Sequence, residues 1–275
     1  MSLNLIKLYQ KQSSWYKGTT TGVPVGICFH DTGCNNNTLK RYVQPNDDDA
    51  NRAEMLAKIG TNYNKNDWNH KAVSAGVNAW IGLLGDGSIA TVQAGPWDYR
   101  PWGVGSGSNG SLNGDKRDPR TPFWIQFEIC EDDLQDGMYF RAVYREAAQL
   151  CAYLCREYGI SVENIVCHKE AHRQGYASDH GDVEHWWPKL GKTMDDFREE
   201  VRREREKEER AMEYKEFKEH MQRFLDEQAQ ETLPQWAKGE LEEAKEAGIT
   251  DGTAPMSFIP RYQAAIMAKR AAKHE

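Results

Sequence analysis

The sequence lacks several features that would place it in a broad class at once. No run of apolar residues approaches the length that spans a membrane, and the first 18 residues lack the apolar core of a secretory signal. The net charge of −7 excludes the basic surface that a nucleic-acid binder needs to neutralise phosphates. These absences predict a protein that is made in the cytoplasm, does not insert into membranes and does not bind nucleic acid.

Paired cysteines are also missing. The six cysteines form no CxxC motif, and several lie inside apolar runs, as Cys28 and Cys167 do. Cys151 and Cys155 are one helical turn apart, a spacing typical of a helix face in a core. The cysteine pattern therefore predicts buried free thiols and not a metal clip.

What the sequence does contain is a histidine-rich stretch, residues 165–187. It holds four of the chain's eight histidines, interleaved with the acids Asp179, Asp182 and Glu184. These histidines are His168, His172, His180 and His185. The short apolar run 164–167 comes directly before the first of them, which predicts an imidazole at the exit of a buried strand.

A zinc site is one interpretation of this stretch. Imidazole nitrogens and carboxylate oxygens are common zinc ligands, and a catalytic zinc keeps three protein ligands so that a fourth position stays open. The stretch could supply two ligands, and His30 is the best candidate for the third because it follows another apolar run, residues 23–29. The alternative is that these histidines lie at the surface or are hydrogen-bonded in the core.

A second candidate for chemistry lies in residues 123–130. Period-two alternation places Phe123, Ile125, Phe127 and Ile129 on one face of a predicted strand. Gln126 and Glu128 lie on the other face. Glu128 is then a lone acid in mid-strand, either on a solvated face or in a cleft where a raised pKa suits proton transfer.

The long loop 96–120 is rich in glycine and aromatic residues. Its glycines do not match a phosphate-binding spacing, because no lysine closes the motif and no helix follows. Trp97, Tyr99 and Trp102 are available to stack against sugars or peptides in a groove. The alternative is that these aromatics only pack the loop against the protein.

The order of predicted elements indicates an α/β fold with a central mixed β-sheet flanked by helices, over residues 1–196. A hairpin is predicted for 79–93 and a helix for 139–158, ended by Gly159.

Residues 197–231 have no glycine or proline and many charges, which predicts a long exposed helical linker. Its apolar seam (Tyr214, Phe217, Met221, Phe224) suits a coiled coil between copies, packing onto the first domain, or a bare spacer. Residues 232–275 are predicted to form a small all-α module of two short helices, roughly residues 235–247 and 261–273.

Three segments together resemble zinc-dependent N-acetylmuramoyl-L-alanine amidases of the bacteriophage endolysin type, which are related to peptidoglycan recognition proteins. The segments are Gly26-Ile27-Cys28-Phe29-His30-Asp31-Thr32-Gly33, Ile125-Gln126-Phe127-Glu128-Ile129-Cys130, and Ile165-Val166-Cys167-His168 with the following His180-Gly181-Asp182-Val183-Glu184-His185-Trp186. The resemblance implies zinc bound by His30, His168 and Asp182, with His180 as the rival third ligand. It implies Glu128 as the catalytic acid and base, and leaves His172 and His185 in supporting roles.

The resemblance also implies hydrolysis of the amide between N-acetylmuramic acid and the L-alanine of the stem peptide, so that the partner is bacterial peptidoglycan. Two other functions stay open: a peptidoglycan-binding module without activity, and a zinc endopeptidase that acts on the stem peptide. The sequence departs from the family at Asn78 and Gly103, where histidines are expected. Both positions bear on substrate binding and not on the metal.

The end of the chain, from Trp236 through residues 247–253 and 258–265, is similar to a single shortened S-layer homology repeat. Such repeats attach proteins to secondary polymers of bacterial walls. We therefore expect the last module to bind the wall or to assemble copies of the chain into a homo-oligomer. Without an export signal, the protein is expected to reach the wall only after release from the producing cell.

Overall fold

The computed structural model describes residues 3–118 and 120–272. The chain divides into two compact units, Met1–Glu206 and Lys207–Glu275. The end of the predicted C-terminal module, residues 273–275, lies outside the described residues.

Six strands form one mixed sheet in the first unit. They are β1 (Leu5–Lys7), β2 (Val23–Asp31), β3 (Ala79–Leu83), β4 (Ile89–Gln93), β5 (Pro122–Ile129) and β6 (Ile165–Cys167). Their order across the sheet is β1-β4-β3-β5-β2-β6. Only the β3–β4 hairpin is antiparallel among these strands. The predicted central mixed sheet and hairpin are both confirmed.

The helices are α1 (Ser14–Gly18), α2 (Arg52–Ile59), α3 (Gly137–Tyr158), α4 (His168–Arg173), α5 (Met194–Ala229), α6 (Ala237–Glu246) and α7 (Arg261–Ala271). The longest helix of the core, α3, begins where the Asp136 side chain accepts hydrogen bonds from the Met138 and Tyr139 amides. It ends at Gly159, whose φ of 65° closes the last turn. The helix predicted from the apolar pattern is confirmed.

The two faces of the sheet have different roles. The alternation in β5 sends Phe127 and Ile129 into the main core, where they meet Phe29 of β2 and the apolar stripe of α3. Phe29 and Phe127 stack with ring centroids 5.3 Å apart, and burial of each ring stabilises the fold by about 1.5–3 kcal/mol. The opposite face carries His30 of β2 beside Glu128 of β5, because these two residues are Cα partners in the parallel pair.

The first turns of α5 belong to the core of the first unit. Phe197 and Val201 are fully buried there, and the ring of Phe197 lies 5.0 Å from that of Phe29. The compact unit therefore continues to Glu206, ten residues beyond the boundary placed at 196 from the change in composition. The change in composition marks where the outer face of α5 becomes charged, while its inner face is still apolar.

The second unit contains the rest of α5, then α6 and α7. The seam residues Tyr214, Phe217, Met221 and Phe224 are exposed, although the Phe224 ring lies 6.1 Å from that of Phe258. The two predicted short helices of the last module are both present. None of the helices among the described residues is long and apolar enough to cross a membrane.

All six cysteines are free, and only Cys34 among them is exposed. The interior thiols lie in both the sheet and α3, where they fill space between apolar neighbours. Burial raises the pKa of the Cys28 thiol well above its usual value, so this thiol stays protonated and unreactive at neutral pH. The predicted buried free thiols are confirmed at these positions.

Candidate metal centre

Two histidines meet where neighbouring strands end. β2 and β6 run parallel with Phe29 opposite Cys167, so the next residue of each strand, His30 and His168, reaches the same edge of the sheet. Their rings lie edge to face with centroids 4.8 Å apart, and their Nδ1 atoms are 3.0 Å apart. Both residues are buried, with 2% and 1% of their surface exposed. The end of β2 and the junction between β6 and α4 therefore aim the two imidazoles at one point.

Asp182 completes a three-residue cluster at this point. Its Oδ2 atom lies 3.0 Å from Nδ1 of His30 and 3.0 Å from Nδ1 of His168. Burial alone would raise the pKa of Asp182, but hydrogen bonds from the two histidines and their charges outweigh this effect and hold the pKa below its usual range. The acid is therefore an anion at neutral pH, which is the form that binds a metal ion.

The three donors fit a zinc ion. The atoms lie within 4.8 Å of one another, and two imidazole nitrogens with one carboxylate oxygen form a ligand set that catalytic zinc sites use. The side chain of Asp182 keeps 16% of its surface exposed, so solvent and substrate can approach on this side. The arrangement leaves room for a fourth ligand.

His180, the rival ligand, lies on the other side of His168. Its Nδ1 atom is 3.3 Å from Nε2 of His168, whereas the converging donors use the Nδ1 atom of that ring. Its ring is exposed and lies 4.5 Å from the His168 ring. This geometry favours Asp182 as the third ligand and makes His180 a neighbour of the cluster.

Glu128 lies on the same face of the sheet, one strand away from His30. Its Oε2 atom is shielded from solvent and has no hydrogen-bond partner. Burial, and then the negative charges of Asp182 and Glu131, raise the pKa of Glu128 well above its usual value. A carboxylate in such a place gains much by taking a proton, which suits a general base.

A buried acid joins the two segments that carry ligands. Asp31 directly follows His30, and its Oδ2 atom accepts a 2.9 Å hydrogen bond from the amide of Val183, the residue after Asp182. Val183 has a φ of 57°, an uncommon value for a branched side chain, so the turn needs such an anchor. This bond holds the loop that carries Asp182 against the end of β2.

His185 serves this anchor. One ring nitrogen, Nε2, contacts Glu131, and the other, Nδ1, lies 3.9 Å from Oδ2 of Asp31. These three residues form a second cluster of metal-binding side chains, but the imidazole uses a different nitrogen for each acid and so bridges them. His172 contacts the carbonyl of Ala177 at 3.2 Å. Neither of these histidines is among the three converging donors.

The chain's family follows from a sequence comparison. The profile of N-acetylmuramoyl-L-alanine amidases matches residues 20–183, more than half of the chain. The chain belongs to this amidase family. The matched residues include the three converging donors and Glu128, so the whole candidate centre lies inside the amidase region.

Solved structures with a similar fold include three enzymes or enzyme domains. The Staphylococcus aureus hydrolase AmiA, in complex with its ligand, is 17% identical and has a TM-score of 0.47, with 74% of this chain and 84% of that one covered. A mutant endolysin from Bacillus subtilis is 18% identical with a TM-score of 0.45, covering 72% and 99%. The catalytic domain of XlyA is 19% identical with a TM-score of 0.44, covering 72% and 99%. A comparison with curated protein sequences finds no match.

The two departures from the amidase pattern have structural explanations. Asn78 is fully buried. Its amide donates to the carbonyls of Pro96 and Tyr99 at 3.0 and 2.8 Å, and its oxygen accepts from the amide of Gln126 at 3.0 Å. Asn78 thus joins the aromatic loop to β5, and contact with a substrate would require it to give up these bonds. At Gly103 a Cβ atom would lie 2.2 Å from Oε1 of Gln126, so a side chain at this position would have to displace the Gln126 amide.

A groove of about 1070 Å³ is linked to the centre through Asn113 in its wall, whose Oδ1 accepts from the side chain of Gln126, which in turn contacts His30. Neither the three converging donors nor Glu128 line this groove. Trp102 lines it, whereas Trp97 is 7% exposed and packs in the core, which is the alternative that the sequence left open. Tyr99 packs against Tyr16 with ring centroids 5.1 Å apart. The groove also contains two aromatic residues that the sequence pattern did not predict as substrate-binding, Trp124 and Tyr176. They come from distant segments, and only the outward-facing position of Trp124 in β5 gave a signal.

Proposed function

We propose that this amidase is a zinc-dependent peptidoglycan hydrolase that cleaves the amide between N-acetylmuramic acid and the L-alanine of the stem peptide. The observation that carries the proposal is the convergence of His30, His168 and Asp182 on one point, with Glu128 on the same face of the sheet. Membership of the amidase family supplies the class of substrate.

In this proposal His30, His168 and Asp182 hold the zinc ion. When bound, zinc supplies a Lewis acid that polarises the amide carbonyl and makes a water molecule more acidic. Glu128 takes the proton of the attacking water at its shielded carboxylate and later passes it to the leaving amine of L-alanine. Because its pKa is raised, Glu128 holds this proton between the two steps, and the same residue serves as base and acid.

The groove supplies the binding surface. Trp102, Trp124 and Tyr176 offer flat apolar faces to a sugar ring or a peptide. Asn109, Ser111 and Asn113 offer polar groups along the same walls. We propose that the stem peptide and its sugar lie along this groove, with the scissile amide at the metal centre.

The second unit has a separate role in the proposal. Residues 207–275 attach the enzyme to wall polymers or join it to a second copy through exposed apolar residues such as Phe217 and Met221. Wall pull-down and sedimentation of the whole chain, beside a chain that ends at residue 206, test both roles.

Digestion of purified walls tests the reaction. The proposal predicts new amino termini of L-alanine that match the newly freed lactyl groups of muramic acid, and loss of both when a chelator removes zinc. New amino termini of any other residue would instead indicate an endopeptidase, and wall binding without new termini would indicate a binding module. His168→Ala should abolish the reaction, whereas His172→Ala, in the same stretch but outside the centre, should retain it.

A further inference from the structure

We propose that Gln126 is a positioning residue for His30: it holds the imidazole so that Nδ1 is the atom presented to the metal. The inference deepens the proposed function and rests on it, because it concerns the same zinc site. Gln126 lies in β5, two residues before Glu128, and its side chain is fully buried on the face that carries His30.

The first step concerns the contact itself. Oε1 of Gln126 lies 3.3 Å from Nε2 of His30, on the opposite side of the ring from Nδ1, which faces Asp182 and His168. An amide oxygen can only accept a hydrogen bond. Nε2 of His30 must therefore carry a proton when this contact is made. In the neutral imidazole, the form that binds a metal, Nδ1 then keeps the lone pair that the metal requires.

The second step concerns the direction of the amide, which could in principle be reversed. Nε2 of Gln126 donates to Oδ1 of Asn113 at 2.9 Å. The same Oδ1 atom accepts from the backbone amide of Val104 at 3.4 Å, and a backbone amide can only donate. Val104 thus orients Asn113, Asn113 orients Gln126, and Gln126 orients His30.

The third step is the packing at Gly103. A Cβ atom at this position would lie 2.2 Å from Oε1 of Gln126 and 3.2 Å from Nε2 of His30. The missing side chain of Gly103 therefore makes the space in which the amide meets the imidazole. Gly103 and Gln126 form a pair, and a change at either one should disturb the same contact.

Partners of this kind, which hold a metal ligand from behind, typically contribute 10–100-fold to metal affinity. Gln126→Met keeps the length of the side chain but removes the acceptor, so we expect zinc to bind 10–100-fold more weakly. Gly103→Ala keeps every polar group, but its Cβ would displace the Gln126 amide most strongly and also crowd Nε2 of His30, so the same loss is expected. In the double variant the two losses should not add, because both act through one contact.

The matched control is Gln93→Met. Gln93 is 4% exposed and lies in the same sheet, but its amide donates to the carbonyl of Gly95 and touches no candidate ligand. Its replacement likewise removes a buried amide from the sheet. We expect it to lower the thermal stability but to leave zinc affinity unchanged.

The test is zinc affinity measured by competition with a chromophoric chelator on the whole chain, together with the visible absorption spectrum after loading with Co²⁺. Weaker zinc binding and an altered Co²⁺ spectrum in Gln126→Met and Gly103→Ala, but not in Gln93→Met, support the proposal. If Gln126→Met does not fold, Gly103→Ala decides alone. Wild-type affinity in the folded variants overturns this inference only, whereas a wild-type chain that binds no zinc overturns the proposed function with it.

Discussion

The Glu128→Gln substitution replaces a charged group by a neutral one of the same shape, in a place where the charge is costly. Oε2 of Glu128 is shielded from solvent and has no hydrogen-bond partner. An unsatisfied buried polar group costs about 1–3 kcal/mol, and a charged one costs more than a neutral amide. We therefore expect the metal-free variant to be more stable than the wild type by about 1–3 kcal/mol at neutral pH.

The sign of the pH dependence follows from the raised pKa. Burial and the charges of Asp182 and Glu131 raise the pKa of Glu128 above its ordinary value of 4.5, so the folded protein binds this proton more tightly than the unfolded chain. Its contribution to stability is fully present below pH 4.5 and is lost as the pH rises through the folded-state pKa. The advantage of the variant should be absent near pH 4 and grow toward neutral pH.

Activity should move in the opposite direction. Loss of a positioned acid-base group lowers turnover by about 10²–10⁴-fold, while zinc stays bound because Glu128 is not one of the converging donors. Urea unfolding of the metal-free proteins from pH 4 to 8 and wall digestion by the zinc-loaded proteins measure the two effects. For the first compact unit, each kcal/mol corresponds to a melting shift of about 2–4 °C.

Glu146→Gln is the matched control for stability. Glu146 is a buried acid whose pKa, like that of Glu128, is raised mainly by burial. Its Oε1 atom, however, accepts hydrogen bonds from the Asn4 amide and the Thr91 hydroxyl. Its replacement should not stabilise the protein. Equal stability of the wild type and Glu128→Gln across the pH range would refute the claim that the Glu128 carboxylate is destabilised by loss of solvent. Full activity of the zinc-loaded variant would refute the catalytic role of Glu128.

Three further predictions concern the surroundings of the site. A chain that ends at residue 206 should fold and keep its zinc. A chain that ends at residue 196 should be unstable, because loss of a buried ring such as Phe197 costs about 3–5 kcal/mol. Melting curves and zinc content of the two truncated chains test this. His185→Ala should lower the free energy of unfolding by about 1–3 kcal/mol, because it leaves the buried acids Asp31 and Glu131 without the imidazole between them. The loss is smaller than for a fully buried pair because 38% of the His185 side chain is exposed. Unchanged stability in urea would show that His185 does not stabilise the two acids. Trp102→Ala should raise KM for wall fragments several-fold with little change in kcat, and a lower kcat alone would contradict a binding role.

Much of the scaffold could be predicted because its signals are local. Alternation in β5 identifies its two faces, and the apolar stripe with Gly159 after it identifies α3. His30 and His168 each follow an apolar run, and parallel neighbouring strands bring their ends together. Strand-end histidines are therefore visible in a sequence whenever the order of strands can be inferred.

Other parts depend on contacts that no local pattern encodes. Gln126 meets His30 across 96 positions of the chain, and its outward-facing position in β5 indicated a polar face but no partner. Asp182 and His180 lie in one irregular loop, and no local pattern in it tells which of the two side chains reaches the histidines. The groove is assembled from segments as distant as Trp102 and Tyr176.

The boundary of the first unit shows a different limit. Composition changes at residue 195 because the outer face of α5 is charged from there on, but the inner face still carries Phe197 and Val201. Amino-acid composition averaged over a window of sequence combines the charged and the apolar face of the helix, and so it places the end of the core too early. The three-dimensional packing alone identifies Glu206 as the end of the unit.

Zinc content per chain, measured on purified protein after dialysis, tests the metal centre most directly. The account predicts one zinc in the wild type and in His180→Ala, and none in His30→Ala, His168→Ala or Asp182→Ala, because these three side chains supply the donors of the proposed centre. A wild-type chain without zinc, or zinc retained by Asp182→Ala but lost from His180→Ala, would contradict it.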